Sequence, residues 1–219
     1  MIRYQKRRSK SSSNKKKKSS SRKIGSSSRS LPSQRKISLN DKLTLYLNDA
    51  LSVENAAIER LQSRIKQTRL QDSKRRLQHH LEETREQQNR LKQLISMLDG
   101  TPTKDKAQLP IPSPPKSIMN ILKKHMAAAE VDLKGAKEDA MVENAEIVLY
   151  DMLLQLAQKA AVDDAIPVLR QTLEEERDMA DWIRANTPVM LTQLWPDIKA
   201  SIIGGEIAEK EKEEEKEEV

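Results

Sequence analysis

Four stretches of this chain repeat apolar residues at alternating steps of three and four, and each is bounded by a turn or cap signal. That spacing lines one side of an α-helix with a seam that needs a partner helix. The first seam is Leu47, Leu51, Glu54, Ile58, Leu61 and Ile65, in a helix expected over 39–69 behind a Ser38-Leu-Asn-Asp cap. The second is Leu77, His80/Leu81, Thr84, Gln87/Gln88, Leu91, Leu94/Ile95 and Leu98, with Asp72 expected to cap it and Gly100 to stop it. The short link between them makes an antiparallel hairpin.

Five prolines between 100 and 115 exclude regular helix there, so this stretch reads as a crossover, followed by a short helix over 117–127. A third long helix is expected over roughly 129–161, with Val142, Ala145/Glu146, Leu149, Met152/Leu153 and Leu156 on one face. A fourth follows Asp163 or Asp164, with Pro167 in its first turn and a seam of Ala165, Leu169, Thr172, Glu176, Met179 and Ile183. Pro188 is expected to break it. A last amphipathic piece, Val189 to Ile198, would pack back through Leu191, Leu194 and Trp195.

Composition supports an all-α reading. Five Gly in 219 residues are too few for a fold of many tight turns, and without Phe the core must be Leu, Ile, Val, Met and Ala. The absence of Cys excludes disulfides, thiolate metal sites and a cysteine nucleophile. No apolar run reaches the ~20 residues of a membrane span, and no apolar stretch follows the basic N-terminus as in a secretory signal. The expectation is a cytoplasmic protein that does not enter membranes. No Gly-rich phosphate loop, nucleophile elbow or triad pattern points to a hydrolase or transferase.

The net charge of +7 hides an asymmetry. Of 40 Lys and Arg, 14 fall in residues 1–40, which hold no acid, while the other 26 stand against 33 acids. Residues 1–38 read as a disordered arm, 39–203 as the helical body and 204–219 as an acidic tail. Lys15, Lys16, Lys17, Lys18, Arg22 and Lys23 are the arm's candidate contacts to DNA or RNA. Such contacts grip phosphate without reading sequence. A plain solubilising tail is the other reading.

Polar residues interrupt all four seams in their middles. Glu54 and Glu176 stand where an apolar residue is called for, His80, Thr84 and Gln87 lie on the inner face of the second helix, and Glu146 and Glu143 approach that of the third. A carboxylate in a bundle core is costly unless paired, protonated or bound to metal. Two readings follow, a carboxylate-bridged metal site or a buried polar cluster that satisfies itself. A hairpin, a longer crossover and a second hairpin is the connectivity of ferritin-like bundles.

The chain also resembles a known family. His80-Leu-Glu-Glu-Thr-Arg-Glu-Gln87 is similar to the second-helix signature of the YciF/YciE ferritin-like stress proteins. Asp49-Ala-Leu-Ser-Val-Glu54, Val142-Glu-Asn-Ala-Glu-Ile-Val-Leu-Tyr150 and Thr172-Leu-Glu-Glu-Glu176 resemble its other helices, in the right order. The resemblance covers about 40–185. It implies an antiparallel four-helix ferritin-like bundle, a homodimer, a stress role and iron or manganese. Its site positions would be Glu54, His80, Glu83, Gln87, Glu143, Glu146, Glu175 and Glu176. The chain departs at Asn144, where the family commonly has His, which takes an imidazole from the implied donor set. A non-enzymatic nucleic-acid-associated or scaffold protein is the alternative, and no turnover is implied.

Overall fold

Ser38 starts the first helix with reciprocal bonds: its Oγ accepts from Asp41 N at 3.0 Å, and its own N–H donates to Asp41 Oδ2 at 2.9 Å. The computed structural model describes residues 37–217, the side chains of Lys123 and 203–217 aside. The basic arm, with Lys15–Lys18, Arg22 and Lys23, lies outside the described residues. Among the described residues the elements are α1 (Leu39–Gln67), α2 (Gln71–Met97), α3 (Lys116–His125), α4 (Glu130–Ala160) and α5 (Ala165–Glu217), with no strand.

Helix α1 packs on α2, α2 on α5, α5 on α4 and α4 on α1, which closes a four-helix ring. Arg64 of α1 meets Asp139 of α4 while Glu54 meets Tyr150, so α1 and α4 run antiparallel. The order is up, down, crossover, down, up, the ferritin-like arrangement expected from one long crossover between two hairpins.

The crossover is strapped to α1 rather than hanging free. Thr103 N donates to Asn48 Oδ1 at 2.7 Å, Asn55 Nδ2 to Asp105 O at 2.8 Å and Ala107 N to Ser52 O at 2.9 Å. Asn48, Ser52 and Asn55 follow one face of α1 at helical spacing, so that face satisfies crossover backbone that has no ladder of its own.

Several local expectations give way to packing. Asp72 is not the cap of α2, which starts behind Leu70 without a side-chain bond; Asp72 pairs instead with Arg75 in the first turn. At the other end Asp99, not Gly100, takes the left-handed conformation, at φ 55°. Gly100 is required for space, since a Cβ there would lie 2.5 Å from Thr44 Cγ2.

Pro188 does not break α5, which continues through it and through Pro196. Each proline deprives a carbonyl one turn back of its donor. Buried Met190, Leu194 and Ile198 hold this length of helix in place, the latter two against Ala127 and Ala129. Of the three residues expected to pack back, only Leu194 does; Leu191 and Trp195 are exposed. The α5 backbone stays helical to Glu217, through the stretch expected from sequence to be an acidic tail.

The core has two apolar ends. One gathers Leu43, Leu47, Leu51, Leu91, Ile95, Leu153, Leu169 and the ring of Tyr150; the other gathers Leu61, Leu77, Leu81, Met179 and Ile183. Between them lies a polar layer drawn from all four long helices. Among the described residues no helix is long and apolar enough to cross a membrane.

Candidate metal centre

Each long helix brings its polar interruption to the same height. Helix α1 contributes Glu54, α2 His80, Thr84 and Gln87, α4 Glu143 and Glu146, and α5 Thr172 and Glu176, all buried. Four carboxyl groups and an imidazole thus share an interior where an isolated charge would be prohibitive.

The imidazole organises one side. His80 Nδ1 lies 3.0 Å from Glu83 Oε2, and Nε2 lies 3.0 Å from Glu143 Oε2 and 3.7 Å from Glu176 Oε2. Ligand atoms of His80, Glu143 and Glu176 fall within 4.8 Å of one another, a spacing that suits one cation. On the other side Tyr150 donates its phenol hydrogen to Glu54 Oε1. Gln87 Nε2 donates to Glu176 Oε1 at 2.5 Å and to Glu175 Oε2 at 3.0 Å.

Glu146 Oε1 and Glu176 Oε2 are buried and accept no hydrogen bond, while Glu143 Oε2 is met by the His80 imidazole at 3.0 Å. Buried carboxylate oxygens are normally satisfied, so two orphans in one layer call for protons or a cation.

The electrostatics agree. Burial raises Glu54 to about 7, against the lowering effects of the Tyr150 hydrogen bond and the His80 charge. Burial, then the charges of Glu176, Glu54 and Glu143, push Glu146 well above its ordinary range. Burial and the Glu143 charge do the same to Glu176. Burial works to lower His80, but the facing carboxylates, Glu143 foremost, outweigh it and raise it well above its usual value. These directions favour a charged imidazole beside protonated carboxyls in the layer.

The eight site positions expected from the family separate into two shells. Glu54, His80, Glu143, Glu146 and Glu176 form the layer, with Gln87 bonded to its edge. Glu83 and Glu175 lie outside it, half-buried. Glu83 takes His79 at 3.2 Å and Arg76 at 3.4 Å as well as His80. Glu175 is tied to Arg90, Gln171 and Gln87.

The inner face of α4 also differs from expectation. Glu143 and Glu146 are both fully inside rather than near an edge, whereas Ala145 and Met152 are exposed. Asn144 is exposed too, and its amide donates to Ala140 O at 2.6 Å. An imidazole at that position would not face the layer, so the departure from the family takes nothing from the donor set seen here.

Two features are not evident from the seam pattern. Tyr150 is fully buried and bonded to Glu54; its signal in the sequence is its place one turn after Glu146. Below the layer, Arg64 Nε and Arg60 Nη2 donate to the two oxygens of buried Asp139, at 2.8 and 2.6 Å. The Arg64 guanidinium lies where a Cβ on Gly135 would be, 2.1 Å from its Cζ. Glycine in the middle of a helix is the corresponding sequence signal.

Fold and site together define a ferritin-like bundle with a buried carboxylate–histidine layer. The chain belongs to the family described as domain of unknown function DUF892, whose profile matches residues 38–194. The fold is shared with solved structures. A Xanthomonas campestris protein is 20% identical, with a TM-score of 0.59, covering 72% of this chain and 96% of its own. YcfI of Rhodopseudomonas palustris is 25% identical, TM-score 0.56, covering 69% and 96%. The E. coli stress protein YciF is 21% identical, TM-score 0.55, covering 71% and 98%.

Proposed function

We propose that this protein is a ferritin-like stress protein that binds a transition-metal cation, iron or manganese, in its polar layer. The observation that carries the reading is a buried group of His80, Glu143 and Glu176 with ligand atoms within 4.8 Å of one another, beside the unpartnered oxygens Glu146 Oε1 and Glu176 Oε2. Carboxylates with one imidazole suit Fe2+ and Mn2+ better than softer ions. Glu83 acts as the outer carboxylate that orients the ligating imidazole. The stress role is taken from the description of YciF, whose fold this chain shares.

Elemental analysis of full-length protein purified without chelator tests the reading. Iron or manganese close to a whole number per chain is expected, and its loss from a His80→Ala/Glu176→Gln variant. Absence of metal even after anaerobic reconstitution with iron(II) would leave a self-satisfied polar cluster.

A second activity rests on the charge of the N-terminal arm. With 14 Lys and Arg and no acid in residues 1–40, the arm is proposed to hold DNA or RNA through phosphate, beside a separately folded body and an acidic C-terminal end. Pairing of two chains is part of the same reading. It is supported by Met141, Val148 and Met152, exposed along one stripe of α4 at seam spacing.

A further inference from the structure

We propose that the polar layer holds a single divalent cation per chain, on His80, Glu143 and Glu176, and that Tyr150 and Gln87 are the positioning residues that keep a second cation out. The inference rests on the cation-site reading above and concerns how many ions that site takes.

A paired-metal centre in a four-helix bundle draws a carboxylate from each of two helices and a carboxylate with an imidazole from each of the other two. That pattern has an imidazole on each side and carboxylates that use both oxygens. This layer has one imidazole. Of the other histidines, His79 is exposed and bound to Glu83, and His125 is exposed on α3, which packs against none of the long helices among the described residues.

Two of the oxygens that a carboxylate bridge between two ions would use are already engaged. Glu54 Oε1 accepts the Tyr150 phenol, and Glu176 Oε1 accepts the Gln87 amide at 2.5 Å. A carboxylate with one oxygen held this way offers a metal its other oxygen, and bridging two ions through both oxygens competes with that hydrogen bond.

What remains points to one place. Glu143 Oε2 and Glu176 Oε2 lie 3.0 and 3.7 Å from His80 Nε2, and Glu176 Oε2 accepts no hydrogen bond; these three residues form the group whose ligand atoms fall within 4.8 Å. Glu146 Oε1 is also unpartnered and supplies a further carboxyl at the same layer. Tyr150 cannot leave its post cheaply, because its ring is fully buried within the apolar cluster at that end of the core.

The test is anaerobic titration of metal-free, full-length protein with Mn2+, read by calorimetry and by electron paramagnetic resonance. One ion per chain is expected, with the hyperfine pattern of an isolated Mn2+. Two ions per chain with an exchange-coupled spectrum would overturn the inference while leaving the cation site standing. No binding would remove both. The variants Tyr150→Phe and Gln87→Met, combined, free both oxygens and are expected to admit a second ion with a coupled spectrum. If that variant keeps wild-type helicity and still takes a single ion, Tyr150 and Gln87 do not hold the second ion out.

Discussion

His80 Nδ1 sits 3.0 Å from Glu83 Oε2, which leaves Nε2 facing the buried oxygens of Glu143 and Glu176. Glu83 is held for this task by Arg76 and His79, and it needs only partial burial because it never enters the layer. Outer carboxylates of this kind set the tautomer and basicity of a ligating imidazole. Glu83→Gln is therefore expected to weaken Mn2+ binding by about 10–100-fold. Competition against a chelator measures the loss, and nitrogen chemical shifts report the tautomer. Unchanged affinity with an unchanged tautomer would show that Glu83 is only a surface partner of Arg76.

The metal-free protein should lose stability as pH rises. Glu54, Glu146 and Glu176 are raised above their ordinary value of 4.5, so between pH 4.5 and their folded values the native state binds more protons than the unfolded chain. Stability in that window falls with pH. His80, raised above 6.5, adds in the same direction: its contribution is complete below 6.5 and is lost as pH passes its folded value. Glu54 alone, at about 7, corresponds to on the order of 3 kcal/mol. Urea midpoints in the presence of chelator should be higher at pH 5 than at pH 8. Saturating Mn2+ should reverse the order, because ligation favours the deprotonated carboxylates.

The buried pair of Arg64 and Asp139 is expected to matter for folding rather than for metal. Removing one partner strands a buried charge, so Asp139→Ala should cost about 3–5 kcal/mol in urea unfolding. Mn2+ stoichiometry should be unchanged, since Asp139 bonds to Arg60 and Arg64 and not to the layer.

Gly135 gives a sharper check of the same contact. Alanine in place of a helical glycine ordinarily gains about 0.5–1 kcal/mol. Here its Cβ would meet the Arg64 guanidinium at 2.1 Å, so Gly135→Ala should destabilise. In an Arg64→Ala background the clash is gone and the gain should return. Identical effects in both backgrounds would rule the contact out as the reason for glycine.

Deleting residues 1–36, which spares the Ser38 cap, should abolish binding to duplex DNA of arbitrary sequence while leaving the helicity and Mn2+ uptake of the body intact. In the full chain, log affinity should fall linearly with log salt, by about 0.9 for each phosphate neutralised. Equal affinity with and without the arm would end the nucleic-acid reading.

Much of the site is legible in the sequence. Glu54 and Glu176 stand out because each replaces an apolar residue in a regular seam, and a single helix is enough to see that. The contribution of α4 is harder to read. Val142, Leu149 and Leu156 mark one face, Met141, Val148 and Met152 mark another, and Glu143, Glu146 and Tyr150 look like the polar side of either. Only packing against α1 and α5 turns the polar side inward. The same holds for Pro188, whose helix-breaking tendency of ~3 kcal/mol is a local preference that buried Met190, Leu194 and Ile198 override.

The sequence by itself determined four seams, a crossover that could not be helix, a basic arm and the residues that spoil the apolar pattern, because these follow from helical period, proline and charge within one segment. The tertiary structure decided which face of α4 is interior, that Glu83 and Glu175 stay outside, that Tyr150 closes on Glu54 and that Arg64 rests on Gly135. Those outcomes depend on contacts between distant segments, such as the Tyr150–Glu54 contact across 96 residues, and no local period carries that information.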